Sequence, residues 1–275
     1  MRRLLAANWK MHLYPEEAIS LLQEIRSLWE RNGWQTLPTV IFPPILYLRE
    51  AVSLLRGMTL AVGAQNGYPG EFGAFTGEVS MAQIAACGAK WVLVGHSERR
   101  YYFGESHELL QQKLKDAQRR GLSVIYCVGE TLSQREAGQT FDVLSQQIEE
   151  VLQGEILWEK LAIAYEPVWA IGTGVHATPA QAQEAHAFIR SLLQAKGAPA
   201  ASMPILYGGS LKPENASEIF SQADVDGGLV GGASLKSESF AAIAACLIAG
   251  KDHTQLAGSR DPQSEAPLES EHSAH

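Results

Sequence analysis

Cysteine is scarce in this chain. Only three cysteines occur among 275 residues, at Cys87, Cys127 and Cys246, and no two of them form a Cys-x-x-Cys pair. A disulfide framework or a zinc site is therefore not expected, and we predict a reducing compartment, the cytoplasm. Cys127 and Cys246 are expected to be core residues rather than nucleophiles, because no activating partner lies near them in the sequence.

Positive charge and long apolar runs are also scarce. The chain has 22 basic and 30 acidic residues, for a net charge of −8, which argues against binding to nucleic acid or to an anionic membrane surface. A small anionic ligand held by one lysine and backbone N–H groups is still compatible with this charge. No apolar run reaches the roughly 18 residues of a membrane span. The opening segment MRRLLAANWK lacks the apolar stretch and cleavage site expected of a signal peptide.

Short apolar runs alternate with longer amphipathic segments along most of the chain. The apolar runs are continuous, as expected for parallel strands that are buried on both faces. We predict eight strands: RLLAAN from Arg3, TVIF from Thr39, LAVGAQ from Leu60, WVLVG from Trp91, SVIYCV from Ser123, AIAYE from Ala162, PILYG from Pro204 and GLVGG from Gly228.

The intervening segments predict helices. One apolar stripe repeats at intervals of three and four residues between Ala18 and Trp29, and a capping box opens another helix at Thr178. Further helices are predicted over 45–56, 80–88, 105–120, 131–153, 213–222 and 235–248.

This alternation predicts one domain, a closed (β/α)8 barrel over residues 1–250. An open doubly wound sheet is the alternative, but its first strand is usually followed by Gly-x-Gly-x-x-Gly. Here the first strand is followed by NWKMHLYPEE. Residues 251–275 are polar, contain proline and show no periodicity, and we predict a disordered tail.

In a barrel, functional groups stand at the carboxyl ends of the strands. That rule selects a short set of side chains: Asn8, Lys10, Gln65, Asn66, His96, Ser97, Glu98, Cys127, Glu130 and Glu166. It also selects two glycine pairs, in YGGS (207–210) and VGGAS (230–234). Paired glycines let backbone N–H groups approach a phosphate, although they also suit tight turns. Lys10 could supply the positive charge beside such a site.

His96 precedes a segment that could begin a helix at Ser97. The positive end of that helix would disfavour the charged imidazole, so a neutral His96 could donate a hydrogen bond to a carbonyl oxygen. The alternative is a histidine that only satisfies the end of the strand. The other histidines (12, 107, 176, 186, 253, 272 and 275) are expected to be solvated, and none has metal-ligand spacing.

The segment AYEPVWAIGTG (164–174) takes an apolar strand into Glu166 and then into an apolar loop that ends in glycine. Glu166 could be a surface carboxylate. Alternatively, it could be a catalytic base from which water is excluded when the loop folds over it.

Six motifs together resemble the triosephosphate isomerase family: NWKM (8–11), GAFTGE (73–78), GHSERR (95–100), AYEPVWAIGTG, YGGS and VGGASL (230–235). They occur in order from Arg3 to about Ala249. The resemblance implies interconversion of dihydroxyacetone phosphate and D-glyceraldehyde 3-phosphate, in glycolysis and gluconeogenesis, without a metal or organic cofactor.

The resemblance also implies residue roles. The catalytic residues would be Lys10, His96 and Glu166, supported by Ser97 and Glu98. Substrate would be bound by Asn8, Lys10, Gly172, Ser210, Gly231 and Gly232. A lid would include Pro167, Val168, Trp169, Ile171 and Gly174. Phe75, Thr76 and Gly77 would lie in the interface of a homodimer.

Three positions depart from the family's usual pattern. His12 stands where asparagine is common, Gly67 replaces a frequent cysteine, and Val175-His176-Ala177 replaces the usual end of the lid. These changes bear on lid motion and interface strength, and they leave the three proposed catalytic side chains in place.

Two alternatives are weighed against this interpretation. An epimerase or aldolase barrel would show a metal-ligand cluster or a lysine within a late strand, and neither pattern occurs. A catalytically silent scaffold or a metabolite sensor would be indicated by loss of Lys10, His96 or Glu166, and all three are present.

Overall fold

Eight parallel strands close into a barrel in the computed structural model, which describes residues 3–171 and 176–257. Each strand pairs with the next, and the last pairs with the first, with Leu4 opposite Gly227. The strands are β1 (Leu4–Asn8), β2 (Thr39–Phe42), β3 (Leu60–Ala64), β4 (Trp91–Val94), β5 (Ser123–Val128), β6 (Leu161–Tyr165), β7 (Ile205–Tyr207) and β8 (Gly227–Val230). The predicted (β/α)8 barrel is confirmed.

Helices surround the barrel and connect successive strands. They are α1 (Pro15–Asn32), α2 (Leu48–Leu54), α3 (Met81–Ala86), α4 (Ser97–Phe103), α5 (His107–Arg119), α6 (Leu132–Glu136), α7 (Thr140–Val151), α8 (Pro179–Ala195), α9 (Pro213–Phe220) and α10 (Ser237–Ala257). Short 3-10 turns occur at Ile45–Tyr47, Trp158–Lys160, Val168–Ala170 and Gly232–Leu235.

The core has two layers because alternate strand residues point to opposite faces. On β1, Leu4 and Ala6 belong to a cluster that fills the barrel, whereas Leu5 and Ala7 pack under the helices. This double burial explains the continuous apolar runs. Cys127 lies in the inner cluster, and Cys246 packs against the outer one.

The structure corrects two predictions. The single helix predicted over 131–153 is two helices, α6 and α7, because the chain turns at Gly138 with a φ of 72° that favours glycine. His186 is wholly buried on α8, edge-on to Tyr165 with ring centroids 5.8 Å apart, so the expectation that it is solvated is wrong.

The end of the barrel also differs from the sequence-based boundary. Helix α10 runs to Ala257, past residue 250 where the barrel domain was predicted to end. Residues 258–275, the remainder of the predicted tail, lie outside the described residues.

Candidate active site

A cavity of about 680 Å³ opens at the carboxyl ends of the strands. It gathers residues from loops that are far apart in the chain: Asn8, Lys10, His12, His96, Glu166, Ile171, Gly208, Gly209, Ser210, Lys212, Gly231, Gly232 and Lys236. Of the ten side chains selected from the sequence, Asn8, Lys10, His96 and Glu166 line this cavity, and Ser97 and Glu98 bond to two of them. Gly172, Gly174 and Val175 lie outside the described residues.

Lys10 enters the cavity from the end of β1. Its backbone N–H donates to Oδ1 of Asn8 across 3.0 Å, and its Nζ donates to Oε1 of Glu98 across 2.6 Å. A β-carbon placed on Gly231 would lie 3.5 Å from Cε of Lys10. The lysine stem therefore passes beside the second glycine pair, as expected for a cation next to an anion site.

His96 caps helix α4, which begins at Ser97 as predicted. Its Nδ1 accepts a hydrogen bond from the N–H of Glu98 at 3.3 Å. That bond assigns the proton to Nε2, because only an unprotonated ring nitrogen can accept. Nε2 lies 3.0 Å from Oε1 of Glu166, and both residues line the cavity.

Glu166 follows β6 and is only 2% exposed, so the alternative of a surface carboxylate is wrong. Its second oxygen, Oε2, accepts the N–H of Ser97 across 2.9 Å. The carboxylate thus rests against both His96 and the first turn of α4. The hydrogen bond from Ser97 fixes one carboxylate oxygen, and Glu166 also lines the cavity.

Glycines on neighbouring strands make room for this carboxylate. A β-carbon on Gly129 would lie 1.7 Å from the backbone oxygen of Glu166, and one on Gly208 would lie 2.9 Å from its Cγ. A β-carbon on Gly209 would lie 3.1 Å from Cγ of Pro167. The glycines after β5 and β7 therefore serve Glu166 and the segment that follows it.

The second glycine pair is arranged differently. Gly231 and Gly232 lead directly into the 3-10 turn Gly232–Leu235, whereas after β7 the helix α9 begins only at Pro213. A β-carbon on Gly232 would meet no atom within 4 Å. Only the pair after β8 is followed at once by a helical turn, and Ser210 lines the cavity beside it.

The segment after Glu166 folds over a buried carboxylate. Val168–Ala170 forms a 3-10 turn, and Nε1 of Trp169 donates to Oε1 of Glu130 across 2.9 Å. Glu130 is fully buried and also accepts the hydroxyl of Tyr165 at 3.1 Å and NH1 of Arg135 at 3.1 Å. The Arg135 guanidinium lies 4.9 Å from the centroid of the Trp169 ring.

The far end of this segment is also held. The N–H of Ala177 donates to the hydroxyl of Tyr207 across 3.2 Å, while His176 is exposed.

Sequence reasoning named Glu130 without a role and missed Tyr165, Tyr207 and Arg135. The tyrosines resemble ordinary strand residues, and Arg135 resembles an ordinary helix-surface residue.

Burial raises the pKa of several acidic side chains near the cavity. Burial, followed by the negative charge of Glu166, raises the pKa of the Cys127 thiol well above its usual range. Burial and the charge of Glu130 raise the pKa of Tyr165. Burial raises the pKa of Tyr207 to about 12. The two hydroxyls therefore stay protonated and the thiol stays neutral at physiological pH.

The cavity is more cationic than the chain as a whole. Three lysines, Lys10, Lys212 and Lys236, line it against two carboxylates, Glu166 and Glu214, together with His12 and His96, although the net charge of the chain is −8. Sequence reasoning missed Lys212, Lys236 and His12, because lysines and histidines in loops are ordinarily solvated. The lining thus carries one more lysine than glutamate, a balance that is compatible with an anionic ligand.

Residues 73–78 form an exposed loop beyond β3. The ring of Phe75 is 49% exposed and lies 4.4 Å from that of Tyr68, while Thr76 and Gly77 are exposed beside it. Nothing within the described chain covers their outer surface.

Residues 3–171 and 176–257 contain neither a metal-ligand cluster nor a helix that could cross a membrane. Within these ranges no three His, Cys, Asp or Glu side chains are gathered closely enough to hold a metal ion. No described helix combines the length and the apolar character needed to cross a membrane.

Comparison with known proteins agrees with this geometry. A family model described as triosephosphate isomerase matches residues 3–247. Similar curated proteins carry the name triosephosphate isomerase. The one from Pseudomonas putida is 47% identical over 91% of this chain and 100% of its own length. The one from Xanthomonas campestris pv. campestris is 50% identical over 88% of this chain and 97% of its own length. The one from Leptospira interrogans is 46% identical over 88% of this chain and 99% of its own length.

Proposed function

The chain belongs to the triosephosphate isomerase family, and from that premise we propose that Lys10, His96 and Glu166 carry out its reaction. The chain is an isomerase that interconverts dihydroxyacetone phosphate and D-glyceraldehyde 3-phosphate, a step of glycolysis. The proposal concerns how its residues divide that work.

Glu166 acts as the base. The reaction removes a proton from one carbon and returns it to the neighbouring carbon, and one carboxylate that reaches both carbons can do both. When Glu166 takes the proton, the C–H electron pair forms the double bond of an enediolate, and negative charge moves to the former carbonyl oxygen. The hydroxyl proton on the carbon that lost its C–H proton then passes to that oxygen, and Glu166 returns its proton to the former carbonyl carbon, so that the first carbon becomes the new carbonyl.

His96 and Lys10 stabilise the charge on oxygen. The observation that carries the proposal is that Nε2 of His96 lies 3.0 Å from Glu166 while its Nδ1 accepts the N–H of Glu98. The ring can thus donate from Nε2 to a substrate oxygen beside the base. Lys10 adds a positive charge, and such fixed donors act strongly in a site that excludes water.

Glu98, Ser97 and Asn8 support these groups. Glu98 binds the ammonium of Lys10, Ser97 holds Glu166 through its N–H, and Asn8 binds the backbone of Lys10. The substrate phosphate is bound next to Lys10 by backbone N–H groups around Ser210, Gly231 and Gly232. The proposed contribution of Gly172 falls outside the described residues.

The segment from Pro167 onward is the lid, and Val168, Trp169 and Ile171 form its apolar part. Water must be excluded because a loosely held enediolate would expel its phosphate instead of accepting the proton. Ile171 already lines the cavity. Gly174 and Val175 also belong to the proposed lid, and both lie outside the described residues.

The test is a coupled isomerase assay on two variants. Glu166→Gln keeps the shape of the side chain but removes the base, and we expect kcat to fall about a thousandfold. Lys10→Ala should lower kcat and also weaken competitive inhibition by a phosphate-bearing substrate analogue. Glu184→Gln, an exposed change on α8, is the control and should match the unmodified chain. Full turnover by folded Glu166→Gln would end the assignment of Glu166 as base.

We also propose that the chain forms a homodimer. Large apolar side chains in the loops and turns after β1, β2 and β3 are exposed, including Met11 at 94%, Leu46 at 82% and Phe72 at 83%. These strands are neighbours in the barrel, so the exposed apolar side chains lie on one side of the barrel. A second copy, contacted through Phe75, Thr76 and Gly77, would cover them.

Sedimentation velocity tests this assembly. We expect the unmodified chain to sediment as a dimer and Phe75→Glu to sediment as a monomer at micromolar concentration. Leu132→Glu, which changes a 52% exposed side chain on α6, should remain dimeric. A monomeric unmodified chain would contradict the proposal.

We place the protein in the cytoplasm, because Cys87, Cys127 and Cys246 are all free and free thiols suit a reducing compartment. Fractionation of cells that express the chain should recover its activity with the cytoplasmic fraction. Recovery in an exported fraction would contradict this assignment.

A further inference from the structure

Gln65 follows β3, and its side chain reaches two backbone carbonyl groups on other segments. Its Nε2 donates to the oxygen of Lys10 across 2.8 Å and to the oxygen of Phe42 across 2.9 Å. Both partners can only accept, so the amide nitrogen must face them. One half-buried side chain therefore ties together the ends of β1, β2 and β3.

The backbone of Lys10 has an unusual conformation. Its φ is 53°, a left-handed value that residues with a β-carbon avoid because that carbon crowds the neighbouring carbonyl oxygen. A lysine in this conformation persists only where surrounding contacts enforce it. Asn8 binds its N–H from one side and Gln65 binds its carbonyl from the other.

This conformation decides where the Lys10 ammonium lies. From the left-handed turn the side chain passes beside Gly231 and brings Nζ to 2.6 Å from Glu98. A return of φ to the ordinary negative range would turn Cβ and redirect the whole side chain. The hydrogen bonds on the peptide groups of Lys10 are therefore linked to the position of its charge.

We infer that Gln65 is a positioning residue that holds Lys10 in its left-handed conformation and so keeps the ammonium at the substrate site. Gln65 does not line the cavity and acts through Lys10. This inference rests on the proposed function, which gives Lys10 its role in binding substrate.

A double-mutant cycle tests the inference. Gln65→Met keeps the length of the side chain and removes both donated hydrogen bonds. We expect it to lower kcat/KM about tenfold when Lys10 is present, and by less than about threefold in the Lys10→Ala background, because the group it positions is then missing. A residue that only stabilises the barrel would lower both by the same factor.

Gln118→Met is the matched control. Gln118 is also a glutamine that braces backbone, since it donates to the oxygen of Leu157 at 2.9 Å and accepts the N–H of Leu157 at 3.0 Å. It lies near the start of β6, at the opposite end of the barrel from Lys10. Its loss should change kcat/KM by less than about threefold, equally with and without Lys10.

The outcomes separate the two claims. If Lys10→Ala leaves kcat/KM unchanged, the proposed role of Lys10 fails and the inference fails with it. If Lys10→Ala impairs the enzyme but Gln65→Met costs the same factor in both backgrounds, only the inference is overturned. Should Gln65→Met not fold, the same cycle with Gln65→Asn decides, because that amide is one methylene too short to reach both carbonyl groups.

Discussion

The indole Nε1 of Trp169 donates a hydrogen bond to Oε1 of Glu130 across 2.9 Å. Trp169 belongs to the proposed lid, whereas Glu130 follows the preceding strand and is fully buried. The proposed lid is therefore hydrogen-bonded to Glu130, a carboxylate outside the lid that also accepts hydrogen bonds from Arg135 and Tyr165.

This bond predicts the effect of Trp169→Phe. The substitution keeps an aromatic ring but removes the donor to a charged acceptor, so we expect kcat/KM to fall about tenfold through poorer lid placement. Trp158→Phe, in the 3-10 turn before β6, is the control and should leave the rate unchanged. Equal rates for the two variants in the coupled assay would contradict a role for the bond.

The far end of the lid gives a second prediction. Tyr207→Phe removes the hydroxyl that accepts the N–H of Ala177 and leaves that buried N–H without its partner. We expect kcat to fall about tenfold, since an unpaired buried N–H costs about 1–3 kcal/mol and about 1.4 kcal/mol corresponds to a factor of ten. Tyr126→Phe instead removes a hydroxyl that donates to the oxygen of Gln147 and accepts from Arg100, which keeps its bonds to the oxygens of Gly95 and Cys127. Its kcat should stay within about threefold of the unmodified enzyme. A kcat for Tyr207→Phe as high as that of Tyr126→Phe would disprove the role of the Ala177 bond.

The buried tyrosines predict loss of stability in alkali. Burial raises the pKa of Tyr126 to about 12, above the value of about 10 for an unfolded chain. The unfolded state then releases the phenolic proton first, so the free energy of unfolding should decrease as pH rises from 10 to 12. Denaturant melts across this range should show a weaker decrease for Tyr126→Phe. An identical slope for Tyr126→Phe and for the exposed control Tyr14→Phe would refute the assignment.

The three cysteines should differ in reactivity. Cys87 is exposed, Cys246 is half-buried and Cys127 is fully buried with a raised pKa. Because the thiolate is the reactive form, iodoacetamide should label Cys87 first and Cys127 only after unfolding. Peptide mass spectrometry measures the order. Labelling of Cys127 in the native protein at the rate of Cys87 would show that the inner layer of the barrel opens readily.

The barrel, and the meeting of Lys10, His96 and Glu166 at one end of it, could be predicted from the sequence for one physical reason. Parallel strands buried on both faces read as continuous apolar runs, and their carboxyl ends meet at one edge, so Lys10, His96 and Glu166 could be placed together before any contact was known. The break at Gly138 was missed because the apolar periodicity continues across it. The burial of His186 was missed because a histidine on a helix gives no signal of which face it occupies.

Which side chains contact one another in the site could not be predicted from the sequence. That Glu130 receives Trp169, Tyr165 and Arg135 together depends on rotamers and on the spacing between neighbouring strands. The separate uses of the two glycine pairs were hidden for the same reason. Gly208 makes room for Glu166, whereas Gly231 lies beside Lys10. Both pairs read Gly-Gly in the sequence, and they differ only in the residues that surround them in the structure.

Closure of the ring by β1 and β8 constrains how the protein is made. The first strand of the barrel pairs with its last strand, through Leu4 and Gly227, so a chain that still lacks β8 has an exposed strand edge on each side. Such edges invite pairing with other chains, and contacts between distant parts of a chain form slowly. The barrel can close only after synthesis of β8, and until then both edges are open to pairing with other chains.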